Sequence, residues 1–398
     1  MASISKREVS GKPRYDVNYR EPDGTRRRKT FLKRADAERF STKVEHDKNA
    51  GSYIDPDAGK VTFKAYGEQW LAAQTFDVTS REAVGMHLRL HVYPVLGGKQ
   101  LRAIKPSTMQ AWLKGLTMSS TYQRMIFGTV SSIFNAAVDD ELVTKNPCRA
   151  GSVRTPKKEV RKVVPWTVER VGLVHEALPE RYRVAATIAA GLGLRQGEAF
   201  GLAVEDIDFL RGSVKVRRQV RLFSTGGQAY RLPKGRKDRE IPLPESVRDE
   251  IAAHLAAYPA RSVELPWDTT VGKPVAVALV LTTPDGTALQ RNNFNRRVWG
   301  PALKKAGVEQ TRDDGMHACR HFFASVLLDA GESIKAVSDY LGHSDPGFTL
   351  RTYTHLMPNS TERTKRAVDD ALGRYIGATS RALETASAEF REGVVVRG

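Results

Sequence analysis

Apolar and polar residues alternate early in the chain. Tyr15, Val17 and Tyr19 recur at every second position, the period of a half-buried strand. Glu21-Pro22-Asp23-Gly24 supplies a turn, Thr25 to Phe31 can return as a second strand, and Leu32 to Lys48 reads as a helix. Residues 1–55 are therefore a small module of their own. Past the turn-rich stretch 50–59 the period becomes helical, with Phe63, Tyr66, Trp70 and Leu71 on one face. Further helices fit 79–91, 106–115 and 119–138, with breaks such as Pro94-Val95, so 62–145 is an all-helical module. Residues 164–375 make the largest module, opening with helices over 166–177 and 181–192. Val214 and Val216, Val220 and Leu222, Tyr230 and Leu232, and Ile241 and Leu243 then alternate between turn signals at 224–227 and 234–239, predicting a small antiparallel sheet. Helices resume at 244–257, 291–306, 317–330, 333–341 and 360–375, the last with Val368, Leu372 and Tyr375 as an apolar stripe, and 376–398 reads as a tail. The predicted fold class is multidomain, mainly α with small antiparallel β-sheets.

Charge changes the picture. The chain holds 63 Lys and Arg against 45 Asp and Glu, a net charge of +18, while 40% of its residues are hydrophobic. That apolar share excludes wholesale disorder, and the excess of cations favours a polyanion, either nucleic acid or an anionic membrane surface. No apolar run approaches the roughly 18 residues of a membrane span, and the N-terminus lacks a signal-peptide core. The expectation is a soluble, cytoplasmic protein with a nucleic-acid partner and no membrane. Cys148 and Cys319, the two cysteines, cannot build a disulfide framework or a four-ligand zinc site. Residues 1–60 carry 15 basic and 10 acidic side chains, with Arg26, Arg27, Arg28 and Lys29 on the second strand. Such a run is either a solvated face or a β-ribbon fitted to a DNA groove. Over 144–163 there are seven basic residues, one Glu and two prolines. The part from 146 to 163, with Arg154, Lys157, Lys158, Arg161 and Lys162, reads as an extended linker, plain or laid along phosphates.

The third module concentrates the chemistry. In His317-Ala318-Cys319-Arg320-His321 the first, fourth and fifth residues share a helix face, and two imidazoles beside a guanidinium would gather around an anion. His317 and His321 have a zinc spacing, but no Glu follows His317 and Arg320 would oppose a cation. A structural histidine pair is the plain reading. Leu341-Gly342-His343 is followed ten residues later by Tyr353, in a polar setting for a tyrosine meant only for packing. Gly191-Leu192-Gly193-Leu194-Arg195-Gln196-Gly197-Glu198 puts an Arg at a glycine-flanked helix junction with Glu198 placed to orient it. The spacing is not the dinucleotide fingerprint, and a helix precedes it where a strand should. Pro233-Lys234-Gly235 opens a tight basic turn.

In order and spacing, Arg195, Lys234, His317 to Arg320, His343 and Tyr353 resemble the tyrosine recombinase family, the phage integrases and their relatives, over about 62–375. HACRH, LGHSD with the following Tyr353, and GLRQGE carry the resemblance; LAVEDIDF (202–209) and PKGRKDREIPL (233–243) support it. YDVNYREPDGTRRRKTF is similar to the arm-site-binding module of the larger integrases. The departures, glycine and leucine before Arg195 and Ala318-Cys319 inside the histidine motif, fall on no catalytic position. The resemblance implies an arm-type DNA-binding domain of three strands and a helix (1–55), a helical core-binding domain (62–145) and a mixed α+β catalytic domain (164–375), the last two closing round DNA as a clamp. It implies cleavage without metal or other cofactor. Tyr353 would be the nucleophile of a 3′-phosphotyrosyl bond, Arg195 and Arg320 would clamp the nonbridging oxygens, and His343 would add a hydrogen bond. Lys234 would protonate the leaving 5′ oxygen, His317 would act as base or orient the tyrosine, and Glu198 and His321 would support them. Implied partners are double-stranded DNA at core-type and arm-type sites, further copies in a homotetramer, a directionality factor and a DNA-bending host protein. Two other readings remain: 328–343 resembles a helix-turn-helix with Ala330-Gly331 at its turn, giving a regulator, and a type IB topoisomerase would share the chemistry.

Overall fold

The sheet at the start of the chain forms because Ser10 and Gly11 both take positive φ and fold β1 (Ser3–Val9) tightly onto β2 (Lys12–Arg20), which pairs in turn with β3 (Arg26–Phe31). α1 (Arg34–Asn49) backs this sheet, and Val17 and Tyr19 are buried with Ala37 and Val44. The computed structural model describes residues 2–20, 24–49, 58–157, 163–235, 237–311, 313–354, 365 and 368–372. The chain divides into two units, Met1–Val160 and Arg161–Gly398. Register sorts the basic cluster on β3. Arg27 and Lys29 lie opposite Tyr19 and Val17, whereas Arg26 and Arg28 lie opposite Arg20 and Asn18. Cross-strand partners share a face, so Arg27 and Lys29 stand on the helix side and Arg26 and Arg28 on the open side.

The helical part of the first unit packs α2 (Phe63–Ala73), α3 (Val78–His87), α4 (Pro106–Lys114) and α5 (Ser120–Asp139) around Phe63, Leu88, Trp112, Ile133 and Phe134. Thr62 and Asp77 cap α2 and α3 by accepting from backbone N–H groups. The break expected at Pro94-Val95 is absent. α3 runs on as a π-helical stretch, Leu88–Gly97, whose wider turn accommodates Pro94 while Leu88, Val92 and Leu96 stay buried. Packing also reaches beyond residue 145. Cys148 and Val153 belong to this core, and Asn146 Nδ2 donates to Asn135 Oδ1 at 2.8 Å. The first half of the expected linker is thus folded, because its few apolar residues find a core in spite of the charges around them. Arg154 and Lys157 are exposed; Lys158, Arg161 and Lys162 lie outside the described residues.

In the second unit, α6 (Val168–Ala177), α7 (Glu180–Gly191) and α8 (Gln196–Phe200) precede β4 (Ile207–Asp208), β5 (Ser213–Val216), β6 (Gln219–Leu222), β7 (Gln228–Arg231) and β8 (Arg239–Pro242). Where one sheet was predicted there are two, β4-β5-β8 and β6-β7, each antiparallel. α9 (Glu245–Ala257) leads to a further hairpin, β9 (Arg261–Pro266) with β10 (Pro274–Leu279), whose paired end prolines hide it from a strand pattern. α10 (Arg291–Phe294) continues through a π turn, Asn295–Trp299, into α11 (Gly300–Lys305). α12 (His317–Asp329), α13 (Ile334–Leu341) and α14 (Pro346–Tyr353) follow. α7 is central: its buried alanines let α6, α9 and α12 pack against it. Val368 and Leu372 are exposed, whereas Tyr375 and 376–398 lie outside the described residues. No helix among the described residues is long and apolar enough to cross a membrane.

Candidate active site

Three arginines converge on the C-terminal end of α13, where a helix leaves carbonyls without intrahelical partners and carries partial negative charge. Arg239 Nε donates to Tyr340 O at 2.7 Å, Arg320 Nη2 donates to Leu341 O, and Arg195 Nη2 donates to Gly342 O at 3.3 Å. Three successive carbonyls thus hold three guanidiniums. Gly342 ends the helix at φ +61°, a conformation that favours glycine, and places His343 beside them. From the other side, Arg320 Nη1 donates to Gly193 O at 2.7 Å. Gly193 has φ +63°, and a Cβ there would lie 2.4 Å from the Phe323 ring, so the backbone that receives Arg320 requires glycine.

Glu198 is the counter-charge. Its carboxylate accepts from Arg195 Nη1 at 2.8 Å and from both terminal nitrogens of Arg239, at 3.1 and 2.6 Å, and also from the Arg195 backbone N–H at 2.9 Å. Burial pushes the Glu198 pKa up, but Arg239, with Arg195 and Arg320, outweighs it and holds the carboxyl at about 2. Arg320, only 1% exposed, is pushed down by burial and by Arg195. Its carbonyl partners and Glu198 favour the charged form, and a guanidinium stays protonated.

His343 Nε2 lies 3.1 Å from Arg320 Nη2 and its Nδ1 lies 2.7 Å from Thr349 Oγ1. Because Arg320 only donates, Nε2 is the acceptor here and Nδ1–H donates to Thr349. Tyr353, 2% exposed at the end of α14, is hydrogen-bonded through its Oη to His321 Nδ1 at 2.6 Å. The His317 and His321 rings meet edge to face with centroids 4.7 Å apart. Burial, with nearby cations, lowers all three imidazoles, His317 and His321 to about 4 and His343 to about 3. Burial raises the Tyr353 phenol to about 12 against the pull of Arg320 and Arg195. At neutral pH the site therefore holds neutral histidines, a protonated phenol and cationic arginines, which suits a bound anion.

The structure brings Arg195, Glu198, His317, Arg320, His321, His343 and Tyr353 into one unit, and Lys234 stands exposed on the turn between β7 and β8. The tyrosine's hydrogen bond goes to His321, whereas the resemblance made His317 its base or the residue that orients it. Arg239 and Thr349 were not anticipated. Arg239 sits in a run of charges that looks solvated, although the apolar Ile241 and Leu243 after it signal a strand whose first residue can turn inward. The helix-turn-helix reading is not favoured. Val337, Ser338 and Leu341 of α13 are buried, and its exposed face joins Lys335 to Asp339 at 2.5 Å, leaving no cationic face for a groove. Among the described residues no three metal-ligating side chains cluster.

Comparison with known proteins shows the family and the fold. Residues 157–360 match the family described as "Phage integrase family", and residues 62–117 match "Phage integrase, N-terminal SAM-like domain". A "Tyrosine recombinase XerC-like" protein of Caldanaerobacter subterraneus subsp. tengcongensis is 27% identical over 93% of this chain and 99% of its own length. The integrase of Mycobacterium phage FRAT1 is 27% identical over 79% of this chain and 89% of its own. Among solved structures, the Tn1549 transposon integrase in complex with transposon right end DNA shares the fold at a TM-score of 0.64 and 20% identity, covering 79% of this chain and all of that one. A lambda integrase tetramer bound to a Holliday junction shares it at 0.54 and 18%, covering 83% and 94%. With more than half of its residues matched by the family, the chain belongs to the phage integrases, a family of tyrosine recombinases.

Proposed function

We propose that this chain is a site-specific DNA recombinase that cuts and rejoins strands through a 3′-phosphotyrosyl ester on Tyr353. The observation that carries the reading is a buried phenol in the same unit as two guanidiniums, Arg320 and Arg195, that meet on successive carbonyls at the end of α13 although 125 residues separate them in sequence. A phosphodiester gains charge on its nonbridging oxygens as it is attacked. Arg195 and Arg320, each braced by a backbone carbonyl, keep N–H donors for those oxygens. His343 would add a third donor once Nε2 carries the proton and the Thr349 hydroxyl turns to donate to Nδ1. Lys234 would supply the proton for the leaving 5′ oxygen, and His317 would help order the imidazoles around the phenol. The ester keeps the energy of the broken linkage, so the 5′ hydroxyl of a partner strand can reverse the reaction with no nucleotide or metal.

The same reading makes duplex DNA the partner. Arg26, Arg27, Arg28 and Lys29 would meet arm-type sites, and Arg154 and Lys157, with Lys158, Arg161 and Lys162, would follow the backbone at core-type sites. The DNA complex of the Tn1549 integrase and the tetramer of lambda integrase support DNA binding and a homotetramer for this chain. A directionality factor and a DNA-bending host protein belong to the proposal as accessory partners in a bacterial cytoplasm. The test is a two-site recombination assay with the full chain. Wild type exchanges strands between the two sites; Tyr353→Phe binds both with unchanged affinity and exchanges none. Relaxation without exchange would point to a topoisomerase, and reversible binding alone to a regulator.

A further inference from the structure

Lys234 is exposed on its turn, so something other than burial must set where its ammonium stands when the 5′ oxygen leaves. The turn is held at both ends. Arg239, five residues after the lysine, is bound to Glu198 and to Tyr340 O within the arginine cluster. Three residues before the lysine, Arg231 Nε donates to Asp268 Oδ1 at 2.9 Å. From this second anchor we infer that Asp268, at the tip of the β9–β10 hairpin, is a positioning residue for Lys234, an inference that rests on the lysine being the proton donor.

The tip grips the last residues of β7 through backbone as well as side chain. Asp268 N donates to Tyr230 O at 2.7 Å, Trp267 forms a bridge with Tyr230, and Tyr230 Oη donates to Val263 O of β9 at 2.9 Å. From β6, Gln219 Nε2 donates to Leu232 O at 2.8 Å. Residues 230, 231 and 232 are therefore fixed in succession just before the turn. Asp268 holds a strained backbone to do this. Its φ is +66°, and Thr269 N donates to Trp267 O at 2.8 Å, closing a three-residue turn around it in the rarer sense. Such strain persists only where the surroundings over-determine it, and here they are the contacts to Tyr230 and Arg231. The ion pair is half open to water on the Asp268 side and adds little to stability. Its consequence is geometric. With both ends pinned, the stretch from Arg231 to Arg239 carries Lys234 through few positions. Release of one end multiplies those positions and dilutes the ammonium at the leaving oxygen.

At that oxygen the P–O5′ bond breaks, its electron pair stays on O5′, and a proton passes from Lys234 Nζ to O5′. Sulfur in the same bridging position leaves as a thiolate with no proton. A duplex of that kind therefore reports every part of the reaction except delivery by the lysine.

The experiment follows adduct formation by the full chain on two nicked duplexes, one with oxygen and one with sulfur at the 5′ bridging position. Asp268→Asn removes the charge and Asp268→Gly the whole side chain, and both replacements accept positive φ, so the turn is kept. Each should slow cleavage of the oxygen duplex by about 10-fold or more, leave DNA affinity unchanged and cleave the sulfur duplex at the wild-type rate. Arg231→Gln should do the same. The double variant, Asp268→Asn with Arg231→Gln, should be no slower than either alone, since one contact is lost in all three. Wild-type rates on both duplexes would show that the pair positions nothing, and equal slowing on both would show a general structural role; either result overturns the inference. A Lys234→Ala defect that persists with sulfur would instead refute the lysine as donor, and the inference with it.

Discussion

Arg320 and Lys234 mark the two extremes of the proposed site. Arg320 is sealed in the core and bonded to backbone from two directions, whereas Lys234 is exposed on a turn. A buried, braced cation suits a fixed task such as holding an anion, and an exposed one on a turn suits proton delivery at the moment of reaction. Lys234→Ala should therefore slow cleavage of ordinary DNA by about 100-fold or more, yet recover when the leaving 5′ oxygen is replaced by sulfur, which needs no proton. Arg320→Lys should lose about 3 kcal/mol of transition-state stabilisation on both substrates. Adduct-formation rates on the two duplexes check both, and a Lys234→Ala defect that persists with sulfur would contradict the assignment. These residues were legible in the sequence because each stands in a short motif of its own. Arg239 and Thr349 were not, since a side chain that acts by bracing another is placed by register and helix phase, and no local pattern records that.

At the scale of elements, the site is organised by the eight-residue helix α13, whose terminal carbonyls take the three arginines, and by Glu198 at the start of α8. Glu198→Gln leaves buried guanidiniums short of a counter-charge, and breaking such a pair costs about 3 kcal/mol or more. The sign with pH follows from the depressed carboxyl. Its stabilising contribution is fully present above the ordinary value of 4.5 and is lost as pH falls towards about 2. Urea unfolding should show wild type well ahead of Glu198→Gln at pH 7, with the gap narrowing near pH 3; an equal gap at both would contradict the account. The long helices could be read from periodicity alone, as α5 and α9 show. The π-helical stretch through Pro94 could not, because proline ordinarily ends a helix and only the packing of Leu88, Val92 and Leu96 overrides it. The division of the strands into two sheets was also hidden: strands of four residues carry too little pattern to choose between partners.

Across the whole molecule the excess of 18 positive charges has its clearest structural expression on β3. Register puts Arg26 and Arg28 on the open face of the sheet, while Lys29 on the helix side lies with its Nζ 4.6 Å from the Phe40 ring centroid. Changing Arg26 and Arg28 together to Gln should reduce the slope of log affinity against log salt by about two for arm-type DNA, since each phosphate contact contributes about 0.9. Lys29→Gln should instead lower the stability of the small module and leave the slope closer to that of wild type. Binding titrations at several salt concentrations separate the two, and an unchanged slope in the double variant would remove the open face from the DNA interface. The chemistry proposed for the molecule reduces to one bond, between the oxygen of residue 353 and a DNA phosphorus. Peptide mapping by mass spectrometry of the adduct formed on a nicked duplex measures that bond directly. The account predicts a nucleotide attached to Tyr353 and to no other residue; a nucleotide on a different side chain, or none at all on fully bound DNA, would contradict it.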